Sequence, residues 1–559
     1  MTTSTPAPST VDAIDALLRP LVRNDTPGAV IGINLQGRPL YRGAFGLASI
    51  EHGVANTPRT RMRIASTSKQ FTALAIMLLA EDGKLSIDDP VQQHLPELPR
   101  LAASGPTLRQ LMNHTSGWRG HDEMWAIANG FTLQPQGTSL AMMARQSELN
   151  SEPGKRMIYS NGTYHMLALI VERLSGSSFG DFLKTRVFQP LGMFDTESVA
   201  SDLDVRPGLA TLYIRAPGSA SGYGSGWRRG LYPAEIEGGG SLVSTLDDML
   251  RWLAHLRSAD KIVGSPDTWA QMLASTTLAS GEVTPYGFGL IRHPYLGTEV
   301  IHHNGAVIGG TSQMITVPEH DLDIMIMANG APAGPAALAL KLIELLLAGK
   351  LSGQAEPRAA ASDFPGLVGQ RYHAPASGHL VRFAQAGDRL ALSWLGSPPV
   401  PLRQREGMLW IGVLDLAIGE VEIDLEGADT SQTPDTLALR EGGDLQQLRR
   451  LPETPPEAAA FAPAVVGSYL CSDLDASARI TLEDGALMLA IQGRHGRMVS
   501  HVQPLSDDVA TIVPLDALIA AVGTSCVLNI DRRDGQVVGL RLDSVRSRHV
   551  RFTREETGA

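Results

Sequence analysis

Arg61-Met62-Arg63-Ile64-Ala65-Ser66-Thr67-Ser68-Lys69-Gln70-Phe71-Thr72 is the stretch on which the reading of this chain turns. Phe71, Leu74, Ile76, Met77, Leu78 and Leu79 continue it as an apolar run of good helix formers ending at Asp82-Gly83, so the pattern predicts a helix with Ser66 in its first turn. Residues three apart share a helix face. The Lys69 ammonium can therefore reach the Ser66 hydroxyl, where the positive end of the helix favours an alkoxide or oxyanion. A serine hydroxyl needs a base that titrates near the working pH, and a lysine half-buried beside cationic or apolar groups can fall into that range. Alone, Ser-x-x-Lys usually marks no more than a capped helix.

Two further elements change that reading. Tyr159-Ser160-Asn161 follows the turn-rich Glu152-Pro153-Gly154-Lys155 and precedes an apolar helical run from Met166 to Val171. It offers a phenol that can relay a proton and an amide that can bind a carbonyl. Each also has a plain competitor, a packed loop tyrosine and a helix N-cap. His303-Asn304-Gly305 follows the strand-like Thr298-Glu299-Val300-Ile301 and precedes a turn at Gly309-Gly310. The glycine lets substrate lie close to a strand edge, and His303 can assist the relay or hold an anionic group. His302 and His303 point to opposite faces of a strand, so at most one enters a site. With no third ligand apparent, the pair is not a metal site.

Ser-x-x-Lys, Tyr-x-Asn and His-x-Gly, in this order and at these separations, resemble the penicillin-recognising serine hydrolases: serine β-lactamases, DD-peptidases, related esterases and D-aminopeptidases. Thr107-Leu108-Arg109-Gln110-Leu111-Met112-Asn113-His114-Thr115-Ser116-Gly117, Gly238-Gly239-Gly240-Ser241-Leu242-Val243-Ser244-Thr245 and Tyr286-Gly287-Phe288-Gly289 support the match, which spans about residues 15–350. The resemblance implies an α/β, β-lactamase-like catalytic domain over residues 1–350, an antiparallel sheet with flanking helices. It also implies roles. Ser66 attacks the scissile carbonyl and is acylated, Lys69 and Tyr159 share the base role, and Asn161 orients the substrate carbonyl and the lysine. His303 takes the place that lysine holds in β-lactamases, Gly305 keeps the strand edge open, and the backbone N–H groups of Ser66 and Ala306 form the oxyanion hole. No cofactor is implied.

Composition sets outer limits. A chain of 559 residues predicts three or four domains. A net charge of -11 argues against nucleic-acid or anionic-membrane partners, which need basic footprints. No stretch reaches the ~18 consecutive apolar residues of a membrane span, and residues 1–10 lack the basic and apolar regions of a secretory signal. They read as a disordered lead-in to a soluble, cytoplasmic protein. Two cysteines, Cys471 and Cys526, suit a reducing compartment and read as small buried hydrophobes.

Beyond residue 350, Leu351 to Ser362 and Pro452 to Ala460 read as linkers. Residues 363–451 and 464–559 are rich in short alternating runs, the pattern of antiparallel β-barrels. They resemble each other: Gly369-Gln370-Arg371-Tyr372 with Gly387-Asp388-Arg389-Leu390 parallels Gly467-Ser468-Tyr469 with Asp484-Gly485-Ala486-Leu487. Two such barrels narrow the resemblance to bacterial D-aminopeptidases, which implies dimerisation through the barrels and a loop of the last barrel that holds the substrate amine with an acid. The expected equivalent, Gln492-Gly493-Arg494-His495-Gly496-Arg497-Met498-Val499-Ser500, carries no carboxylate. If it enters the site, Arg494 or Arg497 would repel an amine and suit a carboxylate; the alternative is a solvated basic hairpin.

The expected activity is hydrolysis of short peptides or amides containing D-amino acids. A carboxylesterase or β-lactamase-like enzyme with the same residues, acting on an ester or a β-lactam, is the second reading. A non-catalytic ligand-binding relative is the third, disfavoured by the intact Ser66, Lys69, Tyr159 and Asn161.

Overall fold

The computed structural model describes residues 9–555 apart from 104, 216–225, 331–333, 355, 413–419, 426–430 and 517–525. Most of the lead-in, residues 1–8, lies outside the described residues. The catalytic part is built on six strands: Ala29–Leu35 (β1), Arg38–Phe45 (β2), Ile291–Tyr295 (β3), Thr298–Val307 (β4), Gly310–Val317 (β5) and Leu322–Ala328 (β6). Their spatial order is β3-β4-β5-β6-β1-β2, every neighbour antiparallel. Pairing of β1 with β6, Ala29 opposite Ala328 through Leu35 opposite Leu322, ties the start of the domain to its end.

Alternation along the strands divides the core into two layers. Ile31, Ile33, Ile324 and Ile326 face the Pro335–Leu346 helix and its Leu342 and Ile343, while Val30, Met325 and Met327 face the opposite way into the helical layer. Each such side chain contributes about 1.5–3 kcal/mol on burial. At the centre of that layer lies the Lys69–Glu81 helix, buried on all sides from Lys69 to Leu79. Past its polar first turn of Lys69, Gln70 and Thr72 the enclosed helix is apolar on every face, and Phe71 packs tilted against Trp252 at 4.2 Å and meets Phe188 edge-on at 5.5 Å.

Two antiparallel barrels follow. In the first, Val400–Pro401 pairs with Arg389–Trp394 and Arg403–Arg405 pairs with Met408–Ile411, so one short stretch forms both ends of the nine-stranded sheet. The chain from Arg358 to Ala360 completes the seam: Leu390 donates to the Ala359 carbonyl and Ala359 to that of Leu402. The supposed linker before residue 363 thus enters the barrel, because its backbone satisfies groups that the seam would otherwise leave open. The last barrel is closed, with eight strands from Gly467–Cys471 to Val550–Arg554. The Ala458–Val465 helix, which begins inside the second expected linker, packs Phe461, Ala462 and Val465 into its core. Cys471 and Cys526 are buried there and form no disulfide among the described residues, and burial pushes the Cys471 thiol up to about 12. Among the described residues no helix is long and apolar enough to cross a membrane.

The three parts are locked around one buried ionic cluster. Glu441 of the first barrel accepts from Arg548 of the last barrel at 3.1 Å and from Arg156 of the catalytic part at 3.4 Å. His379 Nε2 lies 2.6 Å from the same carboxylate. Burial opposes ionisation of Glu441, but Arg548, His379 and Arg156 together hold it well below the usual carboxylate range. The His121–Asn129 helix gives Met124, Trp125, Ile127 and Ala128 to the last barrel's core, which places that barrel beside the candidate site.

Candidate active site

Ser66 sits in a 3-10 turn, Ala65–Ser68, one step ahead of the helix rather than within its first α turn. Ala65 adopts φ +50°, a conformation sparsely populated by non-glycine residues. The turn is held from three sides: Ser312 Oγ donates to the Ile64 carbonyl at 2.7 Å, Thr67 Oγ1 to the His303 carbonyl at 3.3 Å, and Leu242 N–H to Ser68 Oγ at 3.2 Å. Gly305 permits the closest approach. A Cβ there would lie 2.2 Å from the Ile64 carbonyl oxygen, 2.5 Å from Ser312 Oγ and 3.0 Å from the Ala65 Cβ. Strand β3 pairs with β4 only as far as His302, so His303–Val307 pairs with β5 alone, and Ala306 is exposed on that extension.

Lys69 is fully buried, with Nζ 2.7 Å from Asn161 Oδ1, 2.7 Å from the Gly239 carbonyl and 3.1 Å from Ser66 Oγ. Burial pulls its pKa well below the ordinary lysine value, the Arg546 charge adds to the effect, and Asp122 opposes it. Two of the three neighbours can only accept. A neutral amine therefore donates its two N–H groups to Asn161 and Gly239 and turns its lone pair to Ser66, the one neighbour with a proton to give. Ser160, not Asn161, caps the Asn161–Ser175 helix, leaving the Asn161 amide free for the lysine. Its orientation is set by Asp122, whose Oδ2 accepts from Asn161 Nδ2 at 2.7 Å and from the Tyr232 hydroxyl at 2.9 Å.

The Tyr159 ring lies 4.7 Å from Lys69 Nζ, and its buried hydroxyl makes no hydrogen bond among the described residues. Burial raises its pKa, while the neighbouring Ser66 hydroxyl works the other way, so Tyr159 remains a phenol. Behind it a chain of hydrogen bonds assigns every proton. Ser160 N–H donates to His114 Nδ1 at 3.2 Å, which leaves His114 Nε2–H to donate to the Tyr286 hydroxyl at 3.2 Å. Tyr286 then donates to His303 Nε2 at 3.1 Å, and His303 Nδ1–H to the Asn304 carbonyl. Burial, reinforced by the Lys69 charge, pulls His303 down to about 3. His303 is thus a neutral imidazole, which leaves it suited to the relay and not to holding an anionic group.

Of the two readings of the basic hairpin, entry into the site or a solvated turn, its contacts favour the second. Gly493 N–H donates to the Ala128 carbonyl at 2.9 Å and His495 N–H to Asn129 Oδ1 at 3.0 Å, which seats the tip on the C-terminal end of the His121–Asn129 helix. A Cβ on Gly493 would sit 2.5 Å from Asn129 Oδ1, so the contact is backbone to helix end. Arg494 and Arg497 are exposed on the solvent side. The reason is how the barrel docks: a different connection, residues 544–549, faces the site. Asn150 clamps it, donating to the Arg546 carbonyl and accepting from Arg548 N–H, each at 2.7 Å. Ser544 Oγ donates to Glu123 at 2.6 Å. The Arg546 guanidinium carbon lies 5.1 Å from the Tyr159 ring centroid.

Ser66, Lys69, Tyr159, Asn161, His303 and Gly305 are therefore brought together, and Arg494 and Arg497 are not. His114, Tyr286 and Gly239 join the cluster and lie inside the supporting phrases of the sequence, where their side-chain or carbonyl roles had no local signal. Asp122 and Arg546 lie in no motif. Among the described residues no group of His, Cys, Asp and Glu is arranged to hold a metal ion.

Comparison with known proteins agrees with this geometry. The β-lactamase family model matches residues 14–348. A D-aminopeptidase of Gluconobacter oxydans is 27% identical over 538 residues, 94% of this chain and 96% of that protein. Another from Brucella anthropi is 25% identical over 562 residues, 97% of this chain and 98% of that protein. An octameric penicillin-binding protein homologue from Pyrococcus abyssi shares the fold with a TM-score of 0.54 at 24% identity, covering 79% of this chain and 99% of its own. The chain belongs to the β-lactamase family and is a serine hydrolase that resembles bacterial D-aminopeptidases along nearly its whole length.

Proposed function

We propose that this enzyme hydrolyses short peptides or amides through an acyl-enzyme on Ser66, with a D-amino acid on the acyl side. The observation that carries the proposal is the geometry of Lys69, whose two acceptor-only neighbours leave its lone pair for the Ser66 proton. Lys69 takes that proton as Ser66 Oγ bonds to the scissile carbonyl carbon, and the backbone N–H groups of Ser66 and Ala306 receive the oxyanion. One Nδ2 proton of Asn161 goes to Asp122 and the other is left for the substrate carbonyl. The C–N bond then breaks as the Tyr159 phenol protonates the leaving nitrogen, and Lys69 returns the proton to Tyr159. Water repeats the sequence in reverse on the ester, releasing the acid and restoring Ser66. This divides the labour, with Lys69 as base and Tyr159 as acid, where the family resemblance implied that the two share the base role. His303, Tyr286 and His114 form a neutral scaffold behind Tyr159.

Stereochemistry rests on the relatives named D-aminopeptidases. Release of p-nitroaniline from D-alanine and L-alanine p-nitroanilides, by the native protein and Ser66→Ala, tests both points. The expected result is D-selective release that Ser66→Ala abolishes. Cleavage of p-nitrophenyl butyrate without either anilide would favour the esterase reading. The same reading carries a cytoplasmic enzyme dimerising through its barrels, for which sedimentation of the purified protein is the direct check.

A further inference from the structure

From its placement we infer that Arg546, carried into the site by the last barrel, is an anion subsite that selects substrates bearing a free carboxylate. The inference deepens the hydrolase reading and rests on it for the position of the substrate at Ser66. Four observations converge. The half-buried guanidinium lies over the Tyr159 ring, the same ring that faces Lys69 Nζ, so it borders the reacting centre. It makes no hydrogen bond or ion pair to a described residue, although its own carbonyl and the Arg548 N–H two residues on are clamped by Asn150. Glu123 and Asp122 favour its charge from nearby but form no ion pair with it: Asp122 Oδ2 holds Asn161 and Tyr232, and Glu123 accepts from Ser544 while burial raises its pKa. And His303, which could have supplied a cation from the strand, is buried with Nε2 3.1 Å from the Tyr286 hydroxyl and faces no carboxylate of a described residue that would hold it charged.

An arginine fork presents paired N–H donors in a plane that matches a carboxylate, and a guanidinium desolvated against an aromatic face with its donors open is poised for such a group. The same charge disfavours an ammonium at that place. The selected substrate is therefore a short peptide whose C-terminal carboxylate is free, in preference to the corresponding amide.

Binding separates this from the chemistry. Full-length Ser66→Ala is titrated by calorimetry with D-alanyl-D-alanine and with its C-terminal amide, and the titrations are repeated with Arg546→Gln and Arg546→Lys added, each checked by thermal unfolding. The expected result is at least about tenfold tighter binding of the carboxylate form, the scale of one good charge-assisted contact. That preference is lost with Arg546→Gln and partly kept with Arg546→Lys. Equal affinity for the two ligands, binding of neither, or a preference that survives Arg546→Gln would overturn the proposal. Labelling of Ser66 in the native protein by a neutral fluorophosphonate reports on the hydrolase reading by itself. Labelling without carboxylate preference overturns the subsite alone, and preference without labelling overturns the hydrolase reading alone.

Discussion

Gly305→Ala tests whether the approach of β4 to the Ser66 turn controls activity. The backbone at Gly305 does not lie in the left-handed region, so alanine brings no backbone strain and acts only through its methyl group. That methyl would lie 2.2 Å from the Ile64 carbonyl oxygen and 3.0 Å from the Ala65 Cβ, both on the segment that leads directly into Ser66. Ordinary contact begins near 3.4 Å, so strand and turn must part by roughly 1 Å, against backbone rather than a flexible side chain. Overpacking of this kind costs about 1–3 kcal/mol, while a ~1 Å displacement of a reacting group costs about 10²-fold in rate. Activity is therefore expected to suffer first: kcat should fall about a hundredfold while the thermal midpoint falls by only several degrees. Steady-state kinetics and calorimetry on the same preparation check this. A folded Gly305→Ala enzyme with native kcat would refute the reasoning.

Glu441→Gln removes the carboxylate shared by Arg548 and Arg156, leaving the buried Arg548 uncompensated and Arg156 with Asp444 alone, and should cost about 3–5 kcal/mol in denaturant unfolding. Because folding depresses this carboxyl, its contribution is present above the unfolded pKa of ~4.3 and is lost as pH falls, so the gap between native and variant should close in acid. Arg546→Gln removes a charge that helps depress Lys69, so the acidic limb of kcat/KM on a neutral ester should move to higher pH. Tyr286→Phe leaves His114 Nε2–H and His303 Nε2 without partners and should cost about 1–3 kcal/mol, read by thermal unfolding.

Local pattern was enough for the parts of the site that one element carries. Ser66 and Lys69 are three residues apart on one turn, and His303 and Gly305 lie on one strand. The charge of His303 was not readable, because it is set by burial and by Lys69, and its tautomer by Tyr286, all of which reach it from other segments. Asp122 was invisible for the same reason: a lone aspartate in a helix becomes important only when that helix packs beside Asn161. The barrels were readable from alternation, yet which connection faces the active site depends on how the last barrel docks. The family resemblance pointed to the loop with Arg494 and Arg497, and packing of the Gly493 tip on the Ala128–Asn129 helix end turned them to solvent while presenting Arg546. The stretch before residue 363 looked like a linker because its pairing partners, Leu390 and Leu402, lie further along the chain.

Mass spectrometry of the acid-quenched enzyme during turnover of a slow D-alanine ester or anilide tests the central claim most directly. The account predicts a D-alanyl adduct that maps to Ser66 in the native protein and is absent from Ser66→Ala and Lys69→Ala. Turnover without an adduct, or an adduct on any other residue, would contradict it.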